Sequence, residues 1–324
     1  GTHLQNRPAI DRVLIFLAKH CNPFRKMNTK KMRTTSRTAD VIIIAVMGIV
    51  ALFCLLPILN VLALSFSSSA AAAAGKVKFL PVGFTLNAYE YALTKAQFIR
   101  SFGISVKRVV LGLGVNMLFT VLAAYPLSKN SRQLTGRMAY AWFFFFTMIF
   151  SGGLIPWYTV IRQTGLMDTI WGVIIPGAVP VYNVIVLLNF FRQLPKELNE
   201  AAYVDGAGEA RILFNIYLPL SLPSLATLTL FVAVGHWNSW FDGLILMKSP
   251  DNYPLQTYLR NMVVVMDQTT IMGMTSSQLE ELGKVSDRTL RAAQIFIGAL
   301  PVLAVYPFVQ KYFMKGLVMG SVKG

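Results

Sequence analysis

Long apolar runs separated by shorter polar segments dominate the pattern of this 324-residue chain. A helix needs about 20 predominantly apolar residues to cross a bilayer. Six runs come close to or exceed that length, at residues 41–66, 109–127, 138–158, 170–191, 221–247 and 292–309. The pattern therefore predicts an all-α, polytopic membrane protein with six transmembrane helices.

Composition supports a membrane protein and limits the kinds of molecule that its basic charge is expected to bind. Only 14% of the residues are charged, whereas a soluble domain has about 25%. Part of the net charge of +16 comes from basic residues crowded at 25–37, where they suit a membrane anchor facing anionic lipid. Since the chain has no nucleic-acid motif, we expect membrane lipid, and no nucleic acid, as the partner of this charge.

Cysteine and histidine are too few and too scattered to form a metal site. The two cysteines are Cys21 and Cys54, and the three histidines are His3, His20 and His236. A structural zinc site needs four ligands at close, regular spacing. We therefore expect no metal.

Lysine and arginine placement predicts the orientation of the chain. Basic residues fill the N-terminal tail, the loop after the second run and the C-terminal tail, whereas the loop before the sixth run is mildly acidic. Both termini are therefore expected in the cytoplasm, with residues 1–40 as a basic cytoplasmic segment. The pattern leaves open whether residues 1–26 form an amphipathic helix or are foreign to the natural chain. A cleaved signal peptide is disfavoured because the first run exceeds the roughly 7–15 apolar residues of such a peptide.

A charged segment rich in alanine and glycine, residues 197–220, interrupts the apolar pattern between the fourth and fifth runs. Pro195 suits the first turn of a helix. Gly206, within the sequence DGAG, is expected to end that helix because glycine readily adopts a positive φ. A second short helix should begin at Glu209 and end at Leu218 and Pro219.

The predicted pair of short helices has the features of a docking element. Ala201 and Ala202 would give a thin surface that another protein can approach closely, beside acidic edges. The alternative is a solvated loop that only connects two spans. Connections are usually short, and this one is long and patterned, so docking is favoured.

The sequence EAAYVDGAGEARILFNIYLPLSLP within this region resembles the EAA motif of permease subunits of bacterial carbohydrate-uptake ABC importers. FSGGLIPWY and GHWNSWFDGLILMKSPDNYPLQ are similar to a subgroup that imports oligo- and polysaccharides, including uronates such as alginate. The resemblance covers residues 41–324, which form the expected transmembrane domain. It implies that a coupling helix seats in a groove of an ATP-hydrolysing subunit through Glu200, Ala201, Ala202, Asp205, Gly206 and Ala207.

The same resemblance implies the architecture and the partners. The fold would be that of a type I importer permease in a bacterial inner membrane, with five core helices preceded by one peripheral helix. A homologous second permease, an ATPase dimer, a periplasmic solute-binding protein and a carbohydrate substrate would complete the system. The chain has no GxxxxGK[ST] pattern, so we expect it to bind no cofactor and to be non-catalytic. ATP and Mg²⁺ would bind the partner ATPase.

Two other function classes fit the sequence less well. A secondary, ion-coupled sugar transporter remains the main alternative, but it would usually place acids deep in several spans. A membrane enzyme would need paired carboxylates or a metal cluster at one face.

Polar and aromatic residues in the fourth and fifth runs are candidates for the substrate path. Aromatic faces pack against the C–H patches of sugars, and amides pair with hydroxyls. The same residues could instead join helices by hydrogen bonds, and the sequence leaves the two alternatives open. His236 is expected to be a packed or hydrogen-bonded residue, and Asp242 to start the outward end of the fifth span. The candidate path residues are Tyr182, Asn183, Trp237, Asn238 and Trp240.

Overall fold

The computed structural model describes residues 37–130, 134–265 and 287–320, and every regular element within them is helical. Most of the expected N-terminal segment lies outside the described residues. The α-helices are α1 (Arg37–Ser65), α2 (Ser69–Ala73), α3 (Asn87–Thr94), α4 (Ala96–Ser128), α5 (Arg137–Ile149), α6 (Leu154–Gln163), α7 (Val181–Gln193), α8 (Lys196–Val204), α9 (Glu209–Ile212), α10 (Leu218–Leu220), α11 (Leu222–Asn238), α12 (Phe241–Leu246), α13 (Leu255–Val265) and α14 (Asp287–Gly320). Short 3₁₀ turns occupy Ile170–Val173, Ile175–Gly177 and Pro250–Asn252.

The membrane-spanning potential of the described residues agrees with the predicted class. Three helices are long and apolar enough to cross a bilayer alone, at Val41–Ser65, Ala96–Ser128 and Arg288–Val305. Three pairs of helices pass the same test together, so the described residues allow up to six spans. The pairs are Arg137–Ile149 with Leu154–Gln163, Ile170–Gly177 with Val181–Gln193, and Glu209–Leu220 with Leu222–Asn238.

The predicted third and fourth spans are broken, not continuous. α5 and α6 meet at an angle of 113°, where Gly153 has a φ of +86° that other residues adopt only with strain. The fourth run bends by 48° before α7, and Pro176 and Pro180 lie at that break. Glycine and proline at these positions interrupt the α-helical hydrogen bonding that a hydropathy pattern assumes.

The second span begins 13 residues earlier than hydropathy predicts, at Ala96 instead of Val109. The added turns include charged residues that lower the local hydropathy without breaking the helix. One of them, Arg108, is buried. These charged residues are therefore the reason why hydropathy placed the start of this helix too late.

The described residues divide into two compact units, one made of 37–55 with 194–220 and the other of the remaining residues. In the larger unit α4 packs against both α7 and α11, and α11 packs against α14. The buried face of α4 carries small or polar side chains at helical spacing, which lets helix backbones approach closely. These are Ser101, Ser105, Arg108, Gly112, Asn116, Thr120 and Ala124.

Two apolar helices present most of their surface outward. None of the α5 residues is buried, and no residue is buried in the most apolar window of α1. A helix that is apolar all round is typical of a membrane environment. These two helices therefore have the surface expected of lipid-facing or subunit-facing spans.

Candidate functional site

The first arm of the charged segment folds as the sequence predicts. α8 begins after Pro195 and ends at a left-handed turn, where Gly206 has a φ of +72°. The amide of Ala207 donates to the carbonyl of Ala202 at 2.9 Å, and that of Gly206 donates to the carbonyl of Tyr203 at 3.0 Å. These bonds satisfy carbonyls at the end of the helix.

Four of the six predicted coupling residues are exposed, namely Glu200, Ala201, Asp205 and Gly206, and Ala207 is partly exposed. Ala202 is buried. The thin docking surface expected from both alanines is therefore offered by Ala201 alone.

The second arm contains a π-helical turn that was not predicted. α9 is followed by a π-helical turn at Leu213–Tyr217 and then by α10, which includes Pro219. The arm ends at Leu220, one residue beyond Pro219, so the predicted end of this helix is confirmed to within one residue. Proline has no amide hydrogen for an α-helical bond, and the wider turn just before it keeps the chain helical.

A side-chain contact that the sequence analysis missed joins the two arms. The Tyr203 hydroxyl donates a hydrogen bond to the Glu209 carboxylate. Burial raises the pKa of Tyr203 to about 12, and the neighbouring Glu209 carboxylate acts in the same direction. The sequence signal that could have predicted this contact is a tyrosine and an acid on either side of a glycine turn.

A polar cavity of about 420 Å³ lies in the larger unit between α4, α7 and α11. Arg108 on α4 forms a bidentate ion pair with Asp242, with Nη1 at 3.1 Å from Oδ1. Asp242 also accepts from the Ser239 hydroxyl and the Gly243 amide, both at 2.8 Å. Asp242 lies in the first turn of α12, and it binds a buried arginine that the sequence analysis did not identify. Its place at the outward end of the fifth span stays a prediction.

A second network of polar side chains lines the same cavity. The Nε2 atom of His236 lies 2.6 Å from Oδ1 of Asn116. The Asn116 amide donates in turn to the carbonyls of Gly177 and Ala178, at 2.5 and 3.2 Å. A Cβ added at Gly112 would lie 2.4 Å from His236 Nε2, so glycine makes room for the imidazole. His236 is a hydrogen-bonded residue, as predicted.

The structure does not bring the five predicted path residues to one place. Asn183 lines the polar cavity, whereas Asn238 and Trp240 line a separate groove of about 480 Å³ between α11, α13 and α14. Trp237 is buried, and its indole nitrogen donates to the Gly298 carbonyl at 2.9 Å. Tyr182 is 60% exposed and lines neither of these two spaces.

The class of protein that agrees with these features is a membrane-embedded permease subunit. The features are the apolar helices, their breaks and the exposed two-armed segment. The chain belongs to the family of binding-protein-dependent transport system inner membrane components, whose sequence model matches residues 27–318. It is therefore an ABC importer permease of the sugar and oligosaccharide type. This agrees with the resemblance found in the sequence, although the structure does not fix the number of spans at six.

Three similar proteins place the chain within that family. Protein LplC of Bacillus subtilis is 40% identical over 299 residues, which are 92% of this chain and 99% of that protein. The polygalacturonan/rhamnogalacturonan transport system permease protein YtcP of the same organism is 38% identical, over 89% of this chain and 99% of its own length. A solved bacterial ABC transporter involved in the import of the acidic polysaccharide alginate is 34% identical, with a TM-score of 0.79 over 86% of this chain and 99% of the matched chain.

Proposed function

We propose that this chain is the subunit through which an oligo- or polysaccharide of the uronic acid type crosses the bacterial inner membrane into the cytoplasm. The energy would come from ATP, bound with Mg²⁺ on a separate ATPase dimer. A homologous second permease would form the other half of the path, and an external solute-binding protein would deliver the cargo. The chain itself would catalyse no reaction, and both its termini would be cytoplasmic.

The observation that carries the ATP-coupling part of this proposal is the geometry of residues 197–220. Two helical arms meet at a turn fixed by the positive φ of Gly206, and Glu200, Ala201 and Asp205 are exposed on the first arm. Such an element can transmit a push only if its two arms keep their angle. The turn and the Tyr203–Glu209 hydrogen bond both hold that angle.

The choice of substrate class rests on the relatives. YtcP is a polygalacturonan/rhamnogalacturonan permease, and the solved transporter is involved in the import of the acidic polysaccharide alginate. The path residues most accessible to a sugar are Asn238 and Trp240, because both line an open groove. Trp237 is better suited to hold that groove together, since its ring is buried between Phe102 and α14.

The coupling proposal can be tested with two neighbouring glycines that differ in one property. No atom lies within 4 Å of a Cβ added at either Gly206 or Gly208, but only Gly206 has a positive φ. Alanine at Gly206 should strain the turn by about 1–2 kcal/mol, and Gly206→Val should strain it further. Gly208→Ala is the matched control, because its φ of −74° suits any residue.

The measurement is ATP hydrolysis by the complete purified complex, with and without binding protein and saccharide. We expect stimulation in the wild type and in Gly208→Ala, and weak stimulation or weak ATPase assembly in the two Gly206 variants. Full stimulation in Gly206→Val would show that this turn does not couple the two subunits.

A further inference from the structure

The groove lined by Asn238 and Trp240 has further polar residues on α13, which were not among the residues predicted from the sequence. Gln256 and Arg260 project into it from α13. The Arg260 guanidinium carbon lies 5.0 Å from the centre of the Trp240 ring, which is a cation–π distance. An aromatic ring, two carboxamides and a guanidinium therefore share one groove, hereafter the Arg260 groove.

The floor of the Arg260 groove is apolar. It is formed by Leu259 from α13 and by five residues of α14. The α14 residues are Ile295, Gly298, Ala299, Val302 and Leu303. An apolar floor with a few placed polar groups is the usual composition of a small-molecule site, and a volume of about 480 Å³ is in the usual range.

Hydrogen bonds fix the helices that form the walls of this groove. The Thr257 hydroxyl donates to the Trp240 carbonyl at 2.9 Å, which ties α13 to the end of α11. The Trp237 indole ties α11 to the Gly298 carbonyl on α14. The Leu255 amide donates to the Ser105 hydroxyl at 2.7 Å, which ties α13 to α4. Trp240 and Arg260 are therefore held on a braced frame, as a preformed site requires.

The polar side chains of the two spaces differ in the partners they have. In the polar cavity Arg108 is paired with Asp242 and Asn116 with His236, although Arg108 Nε has no hydrogen-bond partner among the described residues. In the Arg260 groove, no side-chain hydrogen bond or ion pair joins Asn238, Gln256 or Arg260 to any other residue that the structure describes. Toward the part of the chain that the structure describes, the groove thus keeps its donors and its positive charge available.

We propose that the Arg260 groove is a binding subsite for one acidic sugar unit of the transported saccharide, with Arg260 binding the carboxylate. The guanidinium would donate two hydrogen bonds to the carboxylate, since its planar fork matches that group. Asn238 and Gln256 would pair with ring hydroxyls, and the exposed part of Trp240 would pack against sugar C–H groups. This inference rests on the proposed import function and makes Arg260 its selectivity residue.

Arg260 is suited to this role by its position as well as its charge. The residue is exposed, so a carboxylate can reach it without the full cost of burying two charges. The Trp240 ring restricts the guanidinium to one side of the groove, which lowers the entropy lost when a ligand binds. A neutral sugar unit would make the same stacking and amide contacts but would leave the guanidinium without its anionic partner.

The test compares a charged saccharide with its neutral counterpart. The probes are tetragalacturonate and the same tetrasaccharide with every carboxyl group reduced to an alcohol. Uptake of each is measured in proteoliposomes containing the complete importer, for the wild type, Arg260→Gln and Arg260→Lys. Arg162→Gln is the control variant, because Arg162 is an exposed arginine at the end of α6 that lines neither space.

We expect the wild type and the control to prefer the charged tetrasaccharide. In Arg260→Gln, the ratio of charged to neutral uptake should fall about 10- to 100-fold, as expected for losing hydrogen bonds to a charged group. Arg260→Lys should keep part of the preference, since it retains the charge but not the fork. Melting temperatures of the three Arg variants are measured alongside to confirm that they fold.

Two results would overturn the proposal, and both can be distinguished from a failure of the proposed import function. An unchanged uptake ratio in Arg260→Gln, or a wild type that takes up only the neutral probe, would show that Arg260 does not select the acid. Import itself would stand in both cases. If the wild-type complex takes up neither probe nor any member of a wider saccharide panel, the proposed function fails, and this inference fails with it.

Discussion

The hydroxyl of Tyr203 and the carboxylate of Glu209 form a hydrogen bond across the glycine turn that joins α8 to α9. Six residues separate them in sequence, and the turn brings them together. The bond links the two arms to each other across the turn. It therefore makes residues 197–220 a braced element.

Removing this hydroxyl should loosen the turn without changing its backbone. We expect Tyr203→Phe to cost about 0.5–1.5 kcal/mol, the usual net value of one hydrogen bond. Amides 205–209 should then exchange with deuterium about 2- to 10-fold faster in the purified complex. Tyr182→Phe is the control, because Tyr182 is an exposed tyrosine outside the segment. Equal exchange in wild type and Tyr203→Phe would contradict the bracing role.

The pH dependence of this effect has a defined sign. Because the folded-state pKa of Tyr203 is raised from 10.0 to about 12, its contribution is fully present below pH 10. It is lost as the pH rises from about 10 to about 12, where the hydroxyl ionises beside the carboxylate. The ratio of the exchange rates of Tyr203→Phe and wild type should therefore be the same at pH 7 and pH 9.

The buried ion pair between Arg108 and Asp242 should matter far more than the exposed pair between Arg100 and Asp251. In the first pair the side chains are 3% and 20% exposed, and in the second both are 56% exposed. Asp242→Asn would leave a buried charge unpaired, which costs about 3–5 kcal/mol. Asp251→Asn should cost less than about 1 kcal/mol. Thermal unfolding of the purified complex measures both.

A double change tests whether the unpaired charge causes the loss. Arg108→Met combined with Asp242→Asn removes the charge but keeps a polar group at the start of α12. The double variant should recover part of the stability lost in Asp242→Asn. If the two changes simply add, burial of an unpaired arginine is not the cause.

Local sequence rules predicted the coupling segment well because its structure has local causes. A positive φ at Gly206 and the start of a helix after Pro195 depend on residues a few positions away, and both predictions are confirmed. The π turn before Pro219 was not predicted, because it depends on the hydrogen bonds that the backbone groups make. The burial of Ala202 was not predicted either. The coupling role of these residues stays a prediction.

The interior of the larger unit was harder to predict because its contacts join distant residues. Asp242 is 134 positions from Arg108, and His236 is 120 positions from Asn116. Nothing in the spacing of residues indicates such pairs. Hydropathy also placed Arg108 outside the second span, because the pairing that makes its burial tolerable is invisible in one sequence. Residue type alone could therefore not separate path residues from residues that join helices.

The proposed orientation can be tested by chemical labelling of single cysteines. Cys21 and Cys54 are first replaced by serine, and one cysteine is then placed at Lys196 or at Lys248, both exposed positions. If the coupling segment is cytoplasmic, a membrane-impermeant maleimide added to cells with a permeabilised outer envelope should label only the Lys248 position. Labelling of Lys196 before the inner membrane is opened would refute the predicted topology.

Alanine at Asn238 and at Asn116 should separate a path residue from a residue that joins helices. Asn116 is buried, and its side chain bonds His236 and two backbone carbonyls. Asn116→Ala leaves these partners unsatisfied, so it should cost about 1–3 kcal/mol and lower the melting temperature. Asn238 is exposed in the Arg260 groove, so Asn238→Ala should change stability by less than about 0.5 kcal/mol.

Asn116→Ala should lose more stability, but Asn238→Ala should lose more uptake. Uptake is corrected here for the amount of folded complex. Asn238→Ala removes an amide that can pair with sugar hydroxyls, so saccharide uptake should fall about 5- to 10-fold, the effect of about 1 kcal/mol. Asn116→Ala should retain most of its uptake per folded complex, because its partners are protein groups. If Asn238→Ala instead melts early and keeps wild-type uptake, then Asn238 joins helices and the groove is not part of the sugar path.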